Sequence, residues 1–130
     1  MARRYGKRWP VWALTALSLS VLGAGIAVTG GPAQGRVEKR DQAREADLSD
    51  LHGLLFCKAQ QAGQAGIDPT PTEACPMTPR LADPFTGAPY RIERLAPDTL
   101  RLCAGFERPS DRPGQDRDAA GCIVRRIAVD

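Results

Sequence analysis

From Trp9 to Gly35 the chain carries no Asp, Glu, Lys, Arg or His, and that run limits its fold more than any other feature. An uncharged apolar helix of about 20 residues spans the roughly 30 Å hydrocarbon core of a bilayer. Trp9 and Trp12 stand where an interfacial aromatic belt would place them. The leading flank (Arg3, Arg4, Lys7, Arg8) is purely basic, whereas the following one (Arg36, Glu38, Lys39, Arg40, Asp41) is nearly balanced. The positive-inside rule then predicts a cytoplasmic basic tail over 1–8, a transmembrane helix over 9–30 and an exported domain over 31–130. A cleaved signal peptide is the competing reading, with 14–22 as its apolar region and Gly31 and Ala33 as a poor cleavage site. The run is longer than a signal needs, and Gly30-Gly31-Pro32 reads better as a helix exit. Under both readings the body of the chain leaves the cytoplasm.

The exported part has room for one small domain. Residues 36–62 have helical spacing: Leu48, Leu51, Leu55, Ala59 and Ala62 recur at steps of three and four, and Leu54 widens the stripe. The first half, "RVEKRDQAREADLSD", is almost wholly charged and is expected to stand in water as a stalk. Its local ion pairs are worth only about 0.2–0.5 kcal/mol each. Gly63, Gly66, Pro69 and Pro71 then end the helix in a loop.

Strand patterns follow. Tyr90 and Ile92 alternate with Arg91 and Glu93; Leu100, Leu102, Ala104 and Phe106 line one side of a second strand. "CIVRRIAV" offers a third, with Ile123, Ile127 and Val129 on one face. Ahead of the first strand lies "DPFTGAPY". Asp83 and Pro84 open a type I turn, Gly87 supplies a positive φ, and Pro89 straightens the chain into Tyr90. The motif sets the register of the first strand. The expected class is α+β: a transmembrane helix running on as a helical stalk, packed on a two- or three-stranded antiparallel sheet.

The net charge of +3, with 18 basic against 15 acidic residues and no basic stripe carrying aromatics, argues against a nucleic-acid partner. The single histidine, His52, lies on the helix beside Leu51 and reads as a surface or half-buried residue. No catalytic constellation is visible, so no enzyme, cofactor or small-molecule substrate is expected. Asp111, Asp116 and Asp118 lack the defined spacing of a calcium loop, and no metal is expected. Cys57, Cys75, Cys103 and Cys122 contain no C-x-x-C pair, and an even count in an exported chain reads as disulfides. Pairing the neighbours gives Cys57–Cys75 and Cys103–Cys122, two loops that staple a domain too small to rely on its core alone. In the membrane run, Ala16, Ser20, Gly23, Ala24 and Ala27 offer small-residue spacings that permit close helix contact.

The long N-terminal helix, the "DP-x-TG-x-PY" turn of 83–90 and the strand ending "LCAGF" at 102–106 together resemble the pilin and type II secretion pseudopilin architecture. They are similar above all to small bacterial single-pass proteins with such an exported domain. A pilin-type leader has a glycine before the helix, then a phenylalanine, and a glutamate a few residues on. Here Gly6 precedes Lys7, and residues 9–35 contain no acid. Leader processing and docking through that glutamate therefore have no visible basis. The resemblance implies a non-enzymatic inner-membrane protein whose periplasmic domain docks on other envelope proteins. The alternative is an accessory subunit of a large respiratory or photosynthetic membrane complex.

Overall fold

The computed structural model describes residues 8–108 and 117–127, and the chain divides into two compact units, Met1–Arg36 and Val37–Asp130. Val129, Asp111 and Asp116, and the basic Arg3, Arg4 and Lys7, all named above, lie outside the described residues.

In the first unit, helix α1 spans Trp9–Thr29. Pro10 sits at its opening turn, where a missing N–H is harmless, and Gly30 ends it in the left-handed region at φ 80°. At 1.5 Å per residue its length is about 31 Å, enough to cross a hydrocarbon core. None of its residues is buried. Three of its four hydroxyls are satisfied within the helix: Thr15, Ser20 and Thr29 donate to the carbonyls of Val11, Ala16 and Gly25 at 2.9, 2.8 and 2.8 Å. Such internal bonds are what a lipid environment demands of a polar side chain.

Helix α2 spans Gly31–Ala62, and the second unit is built on its C-terminal part. The strands β1 (Arg91–Ala96), β2 (Thr99–Cys103) and β3 (Cys122–Arg126) form one antiparallel sheet in the order β1-β2-β3. The fold class is α+β. Leu48, Leu51, Leu55 and Ala59 of α2 meet Tyr90, Leu100, Leu102, Ile123 and Ile127 in one core, with Ala65 closing its end. The predicted stripe thus faces the sheet, except at its last member. Ala62 is exposed, because the helix stops there and the chain turns through Gly63, leaving Ala65 to take the buried place.

Two further differences concern strand ends. β1 starts at Arg91; Tyr90 is buried just before it and donates its N–H to Leu81 O at 2.9 Å. β2 stops at Cys103, although Ala104 and Phe106 still pack against the core. There Ala104 O accepts the Phe106 N–H at 3.1 Å, which turns the chain, and Gly121 at φ 76° lies so close that a Cβ would sit 2.5 Å from the same oxygen, so only glycine fits.

The larger correction concerns the stalk. The charged half of α2 does not stand free in water: Asp41, Arg44 and Asp47 are buried, Arg44 completely. Their partners come from distant parts of the chain, as described below.

Cys57 is bonded to Cys75 and Cys103 to Cys122, with Cα separations of 6.0 and 4.0 Å. The first ties the loop after α2 back to the helix, where that loop also passes Gly53 close to Met77. The second joins residues that face each other across β2 and β3. Replacing both Cys57 and Cys75 with alanine should lower the unfolding free energy by about 3 kcal/mol in the chain-entropy model. Urea denaturation measures this, and an unchanged midpoint would mean that the loop is held by its other contacts.

Candidate functional site

The turn after Pro84 is where the distant charges meet. Asp83 O accepts the Gly87 N–H at 2.8 Å, so the turn closes over one residue more than the expected type I turn. Gly87 takes φ 72°, which the closing residue of such a turn requires. Asp83 N–H to Ala88 O (2.9 Å) and the Ala82–Pro89 bridge finish a small loop whose exit is Tyr90. Asp83 Oδ1 accepts the Phe85 N–H at 2.8 Å, which leaves Oδ2 aimed at α2.

Arg44 meets that oxygen. Its Nε donates to Asp83 Oδ2 at 2.8 Å, and its Nη1 to Asp41 Oδ1 at 2.8 Å and Glu107 Oε1 at 3.1 Å. Its guanidinium carbon lies 5.6 Å from the centre of the Phe85 ring. Asp41 in turn accepts the N–H groups of Glu107 and Arg108, both at 3.0 Å. One helical turn further along, the Tyr90 hydroxyl donates to Asp47 Oδ2 at 2.7 Å, with Arg80 Nη1 at 3.3 Å from Oδ1. Three segments, α2, the turn and the exit of β2, are thus joined through a single arginine.

The electrostatics follow from this arrangement. Burial opposes ionisation of Asp41, but the Glu107 amide, Arg44 and the Arg108 amide outweigh it and hold the carboxyl below its ordinary range. Burial likewise opposes ionisation of Asp83, and the Phe85 amide and Arg44 outweigh it. Burial also works against the charge on Arg44, yet its carboxylate partners raise its pKa further. Burial, together with the bond to Asp47, raises that of Tyr90.

The remaining sequence candidates are spread out. Ala16, Ser20, Gly23, Ala24 and Ala27 all lie on the exposed surface of α1. His52 is half-buried; burial, with Arg125 nearby, lowers its pKa, and its Nε2 has no hydrogen-bond partner. Asp118 is a structural residue: it pairs with Arg101 at 2.6 Å and accepts the N–H groups of Ala120 and Cys122. A cavity of about 500 Å³ lies between residues 104–108 and 117–121, with the Arg117 guanidinium carbon 4.0 Å from the Phe106 ring centre. Its charged lining is engaged within the fold, Glu107 with Arg40 and Arg44, Asp118 with Arg101, and Arg117 with Glu45. Arg44 is the residue that sequence reasoning missed. Its signal was present, since Asp41, Arg44, Leu48, Leu51 and Leu55 continue one spacing of three and four.

The arrangement defines a disulfide-stapled α+β domain, locked by a buried arginine, in a chain whose N-terminal helix is long and apolar enough to cross a membrane. No protein-family model, curated protein or solved structure matches the chain.

Two outcomes test the lock. Arg44→Ala would leave Asp41 and Asp83 buried without their cation, a change that costs about 3–5 kcal/mol; urea denaturation of the variant reads it. Both carboxyls have folded pKa values below the ordinary 3.8, so their stabilisation is complete above that pH. It is lost as pH falls through the lower folded values. Unfolding free energy measured from neutral to acid pH should therefore drop only below about pH 4, and Asp83→Asn should flatten that drop.

Proposed function

We propose that this chain is a single-pass bacterial inner-membrane protein whose periplasmic, pseudopilin-like domain docks on other envelope proteins without catalysing a reaction. The observation that carries the proposal is an uncharged helix without buried residues, Trp9–Thr29, in the same chain as two disulfides. Disulfides persist in oxidising compartments such as the periplasm. The purely basic leading flank then directs the N-terminus to the cytoplasm. The charged groups of the domain support a structural role, because the buried ones bond to one another and to backbone amides.

Topology is tested by fusions at the C-terminus. Alkaline phosphatase should be active there and a cytoplasm-dependent fluorescent reporter dark; the reverse pattern overturns the proposal. Docking is tested by purification from mild detergent, in which the chain should leave the column with a partner. A fixed ratio to one large complex would assign it instead as an accessory subunit.

The membrane helix contributes to docking through its small residues. Ser20→Leu and Gly23→Leu should leave insertion intact, since leucine is more apolar, and should reduce the partner retained on the column. Leu17→Ala serves as control. Full retention by both leucine variants would place the contact in the periplasmic domain alone.

A further inference from the structure

The edges of the sheet are treated differently, and the hydrogen-bond pattern shows which groups are left over. Ala104 N–H donates to Gly121 O and Ile127 N–H to Asp98 O, at 3.1 and 2.6 Å. By the alternation of an antiparallel ladder, even-numbered residues of β2 therefore bond to β3 and odd-numbered ones to β1. The register pairs Arg91 with Cys103 and Glu93 with Arg101, so Arg91 and Glu93 spend their N–H and C=O groups on β2. Those of Ile92 and Arg94 point outward.

Among the described residues no backbone group meets them. Among the described residues, backbone bonds reach this outer edge only at its ends: Leu81 O takes the Tyr90 N–H, and Ala65 N–H reaches Pro97 O at 2.8 Å. Between these two shoulders no described segment pairs with the strand. On the opposite side of the sheet, by contrast, Arg117 bridges to Ile123 of β3.

What surrounds the open edge indicates what would fit it. Leu81 on one shoulder and Leu95 on the strand are about half exposed, as is Ile67, two residues beyond Ala65. Arg91 is exposed with no ion-pair partner among the described residues, and Arg94 is exposed with its Nη1 only on the Ala65 carbonyl. Natural proteins blunt long open edges, because unpaired amides recruit another strand. Here the gap is short and apolar at its sides, with one cation on each face of the sheet: Arg94 on the core side and Arg91 on the other, where the neighbouring Glu93 is held by Arg101. This suits one short strand with acids on both faces. Main-chain bonds would supply affinity, and the two arginines would select acids.

We infer that the outer edge of β1 takes up an extended, acidic segment of a partner polypeptide as a fourth strand. The inference rests on the docking role proposed above and gives it a location.

The test uses the isotope-labelled full chain in mild detergent, titrated with the peptide acetyl-Glu-Glu-Val-Glu-Glu-Val-amide, which carries glutamates on both faces of an added strand. Amide exchange is read residue by residue. The Ile92 and Arg94 amides should shift and lose their exchange, whereas Arg91 and Glu93 should be protected from the start. The lysine counterpart, acetyl-Lys-Lys-Val-Lys-Lys-Val-amide, should leave all four unchanged. Arg94→Pro removes an outward N–H without touching a bond to β2 and should abolish the response. The double variant Arg91→Glu, Arg94→Glu keeps the backbone intact and should transfer the response to the lysine peptide. Unshifted Ile92 and Arg94 amides would overturn the inference, as would an equal response to both peptides. Protection that grows with protein concentration alone would also overturn it, assigning the edge to a second copy of the chain. Should a partner co-purify equally with the parent chain and with Arg94→Pro, the edge is not the contact and the docking role stands. Should the chain emerge alone while its edge still binds the acidic peptide, the docking role fails instead.

Discussion

Arg44 occupies the point on α2 where the buried stripe passes from charged to apolar, and the architecture of the domain turns on how its guanidinium is held. A fully buried arginine is tolerated only where its donors meet acceptors in the planar fork they require. Asp41 lies on the same helix, but Asp83 and Glu107 lie 39 and 63 residues away. The helix therefore cannot take its place until the turn and the exit of β2 are in theirs. The same carboxylates are satisfied by amides of the segments they anchor, which converts an expensive burial into a geometric specification. Leu48, the first apolar residue after Arg44 on that stripe, belongs to the core that meets the sheet.

Much of this fold was legible in the sequence, and the part that was not has a physical cause. Leu48, Leu51, Leu55, Leu100 and Leu102 showed their periods because burial of one face imposes them. The charged half of α2 was misread because acids and bases at helical spacing form local pairs equally well in water. Nothing local distinguishes an arginine that pairs with its helix neighbour from one that pairs with a turn far along the chain. The DPFTGAPY segment was legible as a turn from Pro84 and Gly87 but not as the source of the charge that Arg44 needs. Its turn residues declare backbone shape, whereas the role of Asp83 depends on tertiary contact. The exposed small residues of α1 are different again: their spacing is visible, but their use depends on a neighbouring helix.

The domain divides its sources of order along α2. Toward the C-terminal end stand an apolar core and the Cys57–Cys75 bond; toward the N-terminal end, the buried ions. Apolar burial is indifferent to pH and to the direction of contact, whereas the ionic end responds to protonation and tolerates only one arrangement. Loss of a carboxylate charge would thus loosen one end of the domain while the covalent and apolar end retained its structure.

The Cys103–Cys122 bond carries a consequence for how the sheet is assembled. The two residues face each other directly across β2 and β3, and a slip of one position would turn every side chain of β3 to the opposite face. A slipped strand would also separate the two sulfurs, so oxidation selects the register in which Ile123 faces the helix. In the oxidising compartment proposed for this domain, the thiol chemistry thereby acts as a proofreader: it makes permanent only those pairings that have already buried the correct face.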